Sequence, residues 1–149
     1  MIAIVDVQSI FATKSDEVIK QVVIHNFKED SYHALTFAPP HDARPNEMCI
    51  NVNNWLENNH HGINWFHGDI EYKCLESVSR TSLRDYKRVF TKGEQKARFL
   101  NKVHDTVIDL SELNCPSLNT LKAEVDIPKS KRVAYSIHNI KALRKWLQR

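Results

Sequence analysis

Two stretches of this chain concentrate side chains that can meet phosphate. Residues 84–102 hold seven basic and two acidic residues, and residues 129–149 hold seven basic and none acidic. Together they carry +12, leaving −9 on the other 109 residues, so a formal net charge of +3 conceals a strongly dipolar chain. On a helix, Lys92 and Lys96 are i, i+4 neighbours, as are Arg98 and Lys102. Lys141, Arg144 and Lys145 share the face opposite Ile140, Leu143 and Leu147, and Arg88, Lys131 and Arg132 flank these segments. Ammonium and guanidinium groups in such numbers suit a phosphodiester backbone, which is bound mainly through charge. Tyr86, Phe90 and Tyr135 fall among them and could stack on bases or belong to the core. The ordinary alternative for the whole set is a solvated helix face.

Other chemistry finds less material. Three glycines in the whole chain, with no GxGxxG and no Walker motif, exclude a glycine-rich phosphate loop. Cys49, Cys74 and Cys115 include no CxxC pair and read as free thiols in a reducing compartment. His60 and His61 with Cys74 or Cys115 are candidate zinc ligands, but a structural zinc site wants four ligands as two close pairs. No spacing here supplies them, so no metal and no cofactor are expected. A Cys–His nucleophile pair lacks any group to orient it. Asp6 breaks an apolar run, where a carboxylate either accepts hydrogen bonds as a cap or holds a metal ion.

The elements that must position these residues alternate in type. Residues 2–7, 18–24 and 32–37 are β-branched or alternating and read as strands, the last two forming an antiparallel hairpin around 26–31. Pro39 and Pro40 end that region. Helices are expected over 47–58 and 69–78, the second from Ile70, Cys74 and Val78 at i, i+4, i+8. Then come a strand at 88–91, a helix at 94–103, a strand at 106–110, a helix carrying Leu118, Leu121 and Val125, and a last helix over 136–148. This is an α/β layered pattern in one domain, 1–149. With 42% hydrophobic and 26% charged residues the composition is that of a globular chain. No apolar run approaches the ~20 residues a membrane span needs, and the start lacks a signal-peptide pattern. An intracellular protein, cytoplasmic or nuclear and without membrane contact, is expected.

The order of these pieces resembles the DEDDh 3′–5′ exonucleases of the ribonuclease-H-like fold, over nearly the whole chain. Ile4-Val5-Asp6-Val7-Gln8 resembles their first motif, hydrophobic-hydrophobic-Asp-x-Glu. The hairpin closing on Phe37-Ala38-Pro39-Pro40 is similar to the family's second and third strands. His61-Gly62-Ile63 is similar to the His-Gly-Ile before the family's next helix. The run from Thr91 to Leu100 resembles the second motif, and Val107-Ile108-Asp109-Leu110 the strand that follows it. Ser117-Leu118 through Ile127 and Arg132 resemble the approach to the third motif. The resemblance implies a ribonuclease-H-like α/β fold, a mixed sheet of about five strands with helices on both faces.

Family chemistry uses four carboxylates around two metal ions and a histidine base. Carried over position by position, Asp6 remains, the following Glu is Gln8, and the second-motif Asp is Lys96. The general-base His falls on Tyr135 and the last Asp on Ile140. A shifted alignment would offer His138 as the base and a residual metal-dependent nuclease. As aligned, the resemblance implies a catalytically inactive pseudo-exonuclease. With the basic residues, it leads to weak binding of single-stranded RNA or DNA through a C-terminal basic face formed by Arg88, Lys92, Lys96, Arg98, Lys102, Lys131, Arg132, Lys141, Arg144 and Lys145. The alternative is a protein-interaction scaffold that uses the acidic N-terminal half, for example a factor acting on an RNA-silencing or nucleic-acid-processing complex. Similar short proteins occur as relics of mobile elements and viruses in arthropod genomes, which the resemblance extends to this chain as an expected origin.

Overall fold

Two β-branched runs joined by a tight turn set the architecture. The computed structural model describes residues 1–41, 43–123, 125 and 131–149, with 131–134 described by their backbone alone. Strand β1 (Ile2–Thr13) folds back onto β2 (Asp16–Asn26), and β2 turns again onto β3 (Ser31–Thr36), both pairings being antiparallel. Thr13 Oγ1 accepts the Asp16 N–H in the first turn. In the second, Asn26 Oδ1 accepts the N–H groups of Lys28 and Glu29, a side-chain-closed turn that tolerates φ +52° at Asp30. β1 also pairs in parallel with β4 (Arg88–Thr91), and β4 with β5 (Val107–Asp109). The five-stranded mixed sheet has the order β3-β2-β1-β4-β5, which places Asp6 on an interior strand.

Alternation along β1 sorts the helices α1 (Glu47–Asn59), α2 (Leu75–Leu83), α3 (Glu94–Asn101), α4 (Leu118–Lys122) and α5 (Lys131–Leu147). Ala3, Val5 and Val7 point to one side and pack with Leu83 of α2 and Phe99 and Leu100 of α3. Ile4 points to the other side and packs with Ile140 and Leu143 of α5, with Leu118 and Leu121 of α4 beside them. Helices therefore cover both faces of the sheet. A third core, of Ile10, Ala12, Val18 and Trp65, fills the far end of the β1–β2 hairpin. No helix among the described residues is long and apolar enough to cross a membrane.

Several element boundaries differ from those read in the sequence. Gln8 and Ser9 end the apolar run, and the β1–β2 register shifts there, yet the ladder continues to Thr13. The helix expected over 69–78 begins only at Leu75. Ile70 bridges Phe37, and a 3-10 turn at Tyr72–Cys74 follows. Ile70 and Val78 both pack on the first core, so their spacing reports shared burial rather than one helix. β5 stops at Asp109, whose side chain caps a 3-10 turn by accepting the Ser111 N–H. The last helix starts five residues early, at Lys131. Ile127 lies outside the described residues.

Lys20 ties the segment around residues 63–68 to the sheet. Its side chain is fully buried, and Nζ donates to the carbonyls of Phe37, His67 and, at 2.9 Å, Trp65. Gly68 makes this approach feasible: at φ +125°, a Cβ would lie 2.2 Å from the Phe37 carbonyl carbon. Replacing Lys20 by Met leaves three carbonyls without their donor and should cost on the order of 3 kcal/mol in denaturant unfolding. Burial also lowers the Lys20 pKa from 10.5 to about 8. The unfolded chain then binds more protons between those values, so the wild-type advantage over Lys20→Met should grow from pH 8 to 10.5. A difference constant with pH would contradict this.

Candidate functional site

Asp6 lies on the α5 side of β1, like Ile4, and is only 2% exposed. A carboxylate so buried requires donors. Gln8, two residues along the same strand face, donates from Nε2 to Asp6 Oδ2 at 2.7 Å. Asn139 of α5 donates from Nδ2 to the same oxygen at 3.1 Å. Lys96 of α3 donates from Nζ to Oδ1 at 2.6 Å, an ion pair spanning 90 residues of sequence.

Local structure delivers each donor. β4 runs parallel to β1 and ends at Thr91, and Gly93 turns the chain into α3 at φ +125°. The Gly93 N–H is held by Asp109 Oδ1 at 3.0 Å, and the same oxygen accepts the Ser111 N–H at 2.9 Å. Burial acts to raise the Asp109 pKa, but these hydrogen bonds and nearby Lys92 outweigh it and hold the carboxyl below its usual value. Asp109 thus fixes where α3 begins and so where Lys96 points. Asn139 is fully buried, and its Oδ1 has no partner among the described residues. The amide cannot turn over, since that would set an oxygen against the Asp6 carboxylate.

Beside the pair, a cleft of about 200 Å³ is lined by Gln8, His60, His61, Lys96 and Tyr135 among others. The Tyr135 ring lies 4.0 Å from the His60 ring, with Lys122 Nζ 4.0 Å from its centroid. The ring is therefore engaged by these neighbours rather than open for a base. Burial raises the Tyr135 phenol, and Asp6 adds to that effect. Burial lowers His60, with Lys122 and Lys96 pushing the same way. Burial also lowers Lys122, partly opposed by Asp6. Two ammonium groups around one carboxylate leave this site net positive.

The residues aligned with the first and second motifs, Asp6, Gln8 and Lys96, meet as one cluster. Ile140, the residue on which the resemblance placed the last acid, does not join it. Ile140 is fully buried in the second core, and its neighbour Asn139 faces Asp6. One residue on a helix turns the side chain by ~100°, enough to exchange site for core. Asn139 is four residues after Tyr135, so the helical period carried a signal that anchoring on Arg132 missed. Lys122 and His60 had no such signal, because only the tertiary fold brings them to Tyr135. His138 turns elsewhere, its Nε2 lying 3.2 Å from the carbonyls of Lys122 and Val125.

The zinc candidates do not converge. His61 is buried, its Nδ1 accepts the Ile63 N–H, and burial lowers its pKa to about 4. No group of three or more His, Cys, Asp or Glu among the described residues is placed to hold a metal ion.

The ten basic candidates do not form one face, because α3 and α5 lie on opposite sides of the sheet. Lys96 is spent on Asp6, Arg98 pairs with Glu94 at 3.0 Å, and Arg144 pairs with Asp30 at 3.3 Å over the Phe27 ring. Lys92 donates to Ser111 Oγ. Arg88, Lys102, Lys141 and Lys145 are exposed, while the side chains of Lys131 and Arg132 lie outside the described part.

Lys96 keeps 22% of its side chain in solvent, so removing it exposes the carboxylate only partly. Lys96→Met should cost about 2–3 kcal/mol by leaving a buried charge without its counter-ion. Adding Asp6→Asn to that variant should recover more than half of the loss. A double-mutant cycle by urea unfolding measures this, and additive costs would contradict a coupled pair.

Set against known proteins, the chain matches no family model, and its sequence finds no match among curated proteins.

Proposed function

We propose that this chain is a catalytically silent, exonuclease-like domain of ribonuclease-H-like fold that binds single-stranded nucleic acid. The observation that carries the reading is the Lys96–Asp6 ion pair, completed by Gln8 and Asn139. Segments read separately as three motifs supply four side chains to one point, although they are far apart in sequence. The interior position of β1 and the helices on both faces agree with that fold. In such a site two metal ions would do the chemistry, activating water and carrying the charge of the leaving oxygen. Here two amides and an ammonium take the places of three acids. At an effective dielectric of about 20, an ion pair at this distance is worth roughly 6 kcal/mol of direct attraction, so an incoming divalent cation must first displace Lys96. A positive site does not repel a phosphodiester, so loss of the metals is compatible with keeping the strand as a ligand.

A second reading, a protein-interaction scaffold, has its own observation. Met48, Val52 and Trp55 of α1 are 54%, 41% and 59% exposed. At i, i+4, i+7 they form an apolar stripe left exposed among the described residues.

Fluorescence anisotropy with a labelled oligouridine at low salt tests the binding, and the absence of any signal would favour the scaffold. Incubation with Mg²⁺ or Mn²⁺ should leave the strand intact. Metal-dependent degradation that Asp6→Ala abolishes would overturn the assignment of a silent site. Restoring carboxylates through Gln8→Glu, Lys96→Asp and Asn139→Asp should create Mn²⁺ binding measurable by calorimetry, which the wild type lacks. If the folded triple variant took up no Mn²⁺, these four positions would not be the metal positions of an exonuclease.

A further inference from the structure

The basic segment 84–102 does not gather at the Asp6 site. It is divided between the two ends of β4. Lys92 and Lys96 follow the strand and lie at the Asp6 end, where each has a partner. Arg84 and Lys87 precede the strand, Arg88 is its first residue, and α3 runs back along the sheet to bring Lys102 to the same far end. There Arg80, Arg84, Lys87 and Lys102, with His104, line a cleft of about 350 Å³. Arg80 Nη2 is held by the Lys102 carbonyl at 3.0 Å, which fixes the guanidinium while leaving its other donors outward. Lys87 also lines the adjoining cleft with Lys28 and Arg88, whose floor is Met1, Ile2 and Phe27.

These cations gather at two adjoining clefts that share Lys87. Among the described residues, Lys28, Arg84, Lys87, Arg88 and Lys102 enter no ion pair, whereas Lys96, Arg98 and Arg144 do. Helix dipoles explain part of the placement, since α2 and α3 both end here and cations are favoured at such ends. Two helix ends supply only about one negative charge between them, and Lys28, Lys87 and Arg88 are on neither helix. Asp85 and Asp105 are exposed nearby and still leave an excess of positive charge.

We infer that this far end, opposite the Asp6 site, is where the phosphodiester backbone of a nucleic-acid strand is held. Phosphates meet Arg80, Arg84, Lys87 and Lys102, and the apolar floor beside Lys87 receives a base. The inference rests on the nucleic-acid reading above and changes its location: the strand contacts the end of the sheet that carries uncompensated charge.

The test compares two variants of the full chain by anisotropy with an oligouridine across a salt series. Arg84→Ala/Lys87→Ala/Lys102→Ala alters only exposed side chains, and circular dichroism checks that it folds. It should weaken binding at least tenfold and flatten the log–log salt slope by about 2, at ~0.7 per lost phosphate contact. Lys92→Ala/Lys122→Ala should change the slope by less than half as much. The reverse ranking would overturn the far-end location while leaving nucleic-acid binding intact. No binding by the wild type at low salt would overturn both. An inorganic polyphosphate of equal charge should bind more weakly than the oligonucleotide, and equal affinity would overturn the assignment to a nucleic acid.

Discussion

A carboxylate buried in the middle of a sheet dictates much of what surrounds it. Asp6 cannot be left without donors in that position, and its three donors come from β1 itself, from α3 and from α5. α3 belongs to one face of the sheet and α5 to the other, so the same carboxylate fastens both layers to the central strand. This gives the ion pair a structural role independent of any ligand. Gln8 and Asn139 are amides, which donate to Asp6 where a Glu or Asp would only accept. With an ammonium and two amides as its donors, the carboxylate sits in a self-satisfied network.

Most of the strand content was legible because β-branched runs with period two admit few other readings. Helix ends were less so. The 69–78 spacing failed because burial on one core can be shared by a bridge, a 3-10 turn and a helix in succession. At the site, Asp6, Gln8 and Lys96 were read only through the resemblance to the first and second exonuclease motifs, and strand alternation explains why residues 6 and 8 share a face. The resemblance pointed to residue 140 where the structure brings 139 to Asp6, in a stretch with no fixed spacing to hold it. Tertiary partners such as Lys122 and His60 leave no mark in local periodicity.

Charge counting along the chain located two basic segments but not where their side chains fall on the folded surface. A parallel strand followed by a returning helix carries one run of sequence from one end of the sheet to the other and back. Residues 84–102 make that excursion, so seven basic side chains that look like one cluster become two. Those near Asp6 are absorbed by hydrogen bonds and pairing, and those at the opposite end are not.

That division separates the electrostatics of the two ends of the sheet. In a metal-dependent site the anion is drawn to the cations at the reacting centre, and a neutralised centre would lose that attraction. Here Lys96 is engaged by Asp6, while among the described residues Lys28, Arg84, Lys87, Arg88 and Lys102 at the far end enter no ion pair. An unpaired surface cation interacts weakly across salt water, with a screening length near 8 Å, so it must act at contact range and in company. Lys87 lining both far-end clefts supplies that continuity. A basic end whose charges are not consumed internally can attract a polyanion on its own, because its electrostatics do not pass through Asp6.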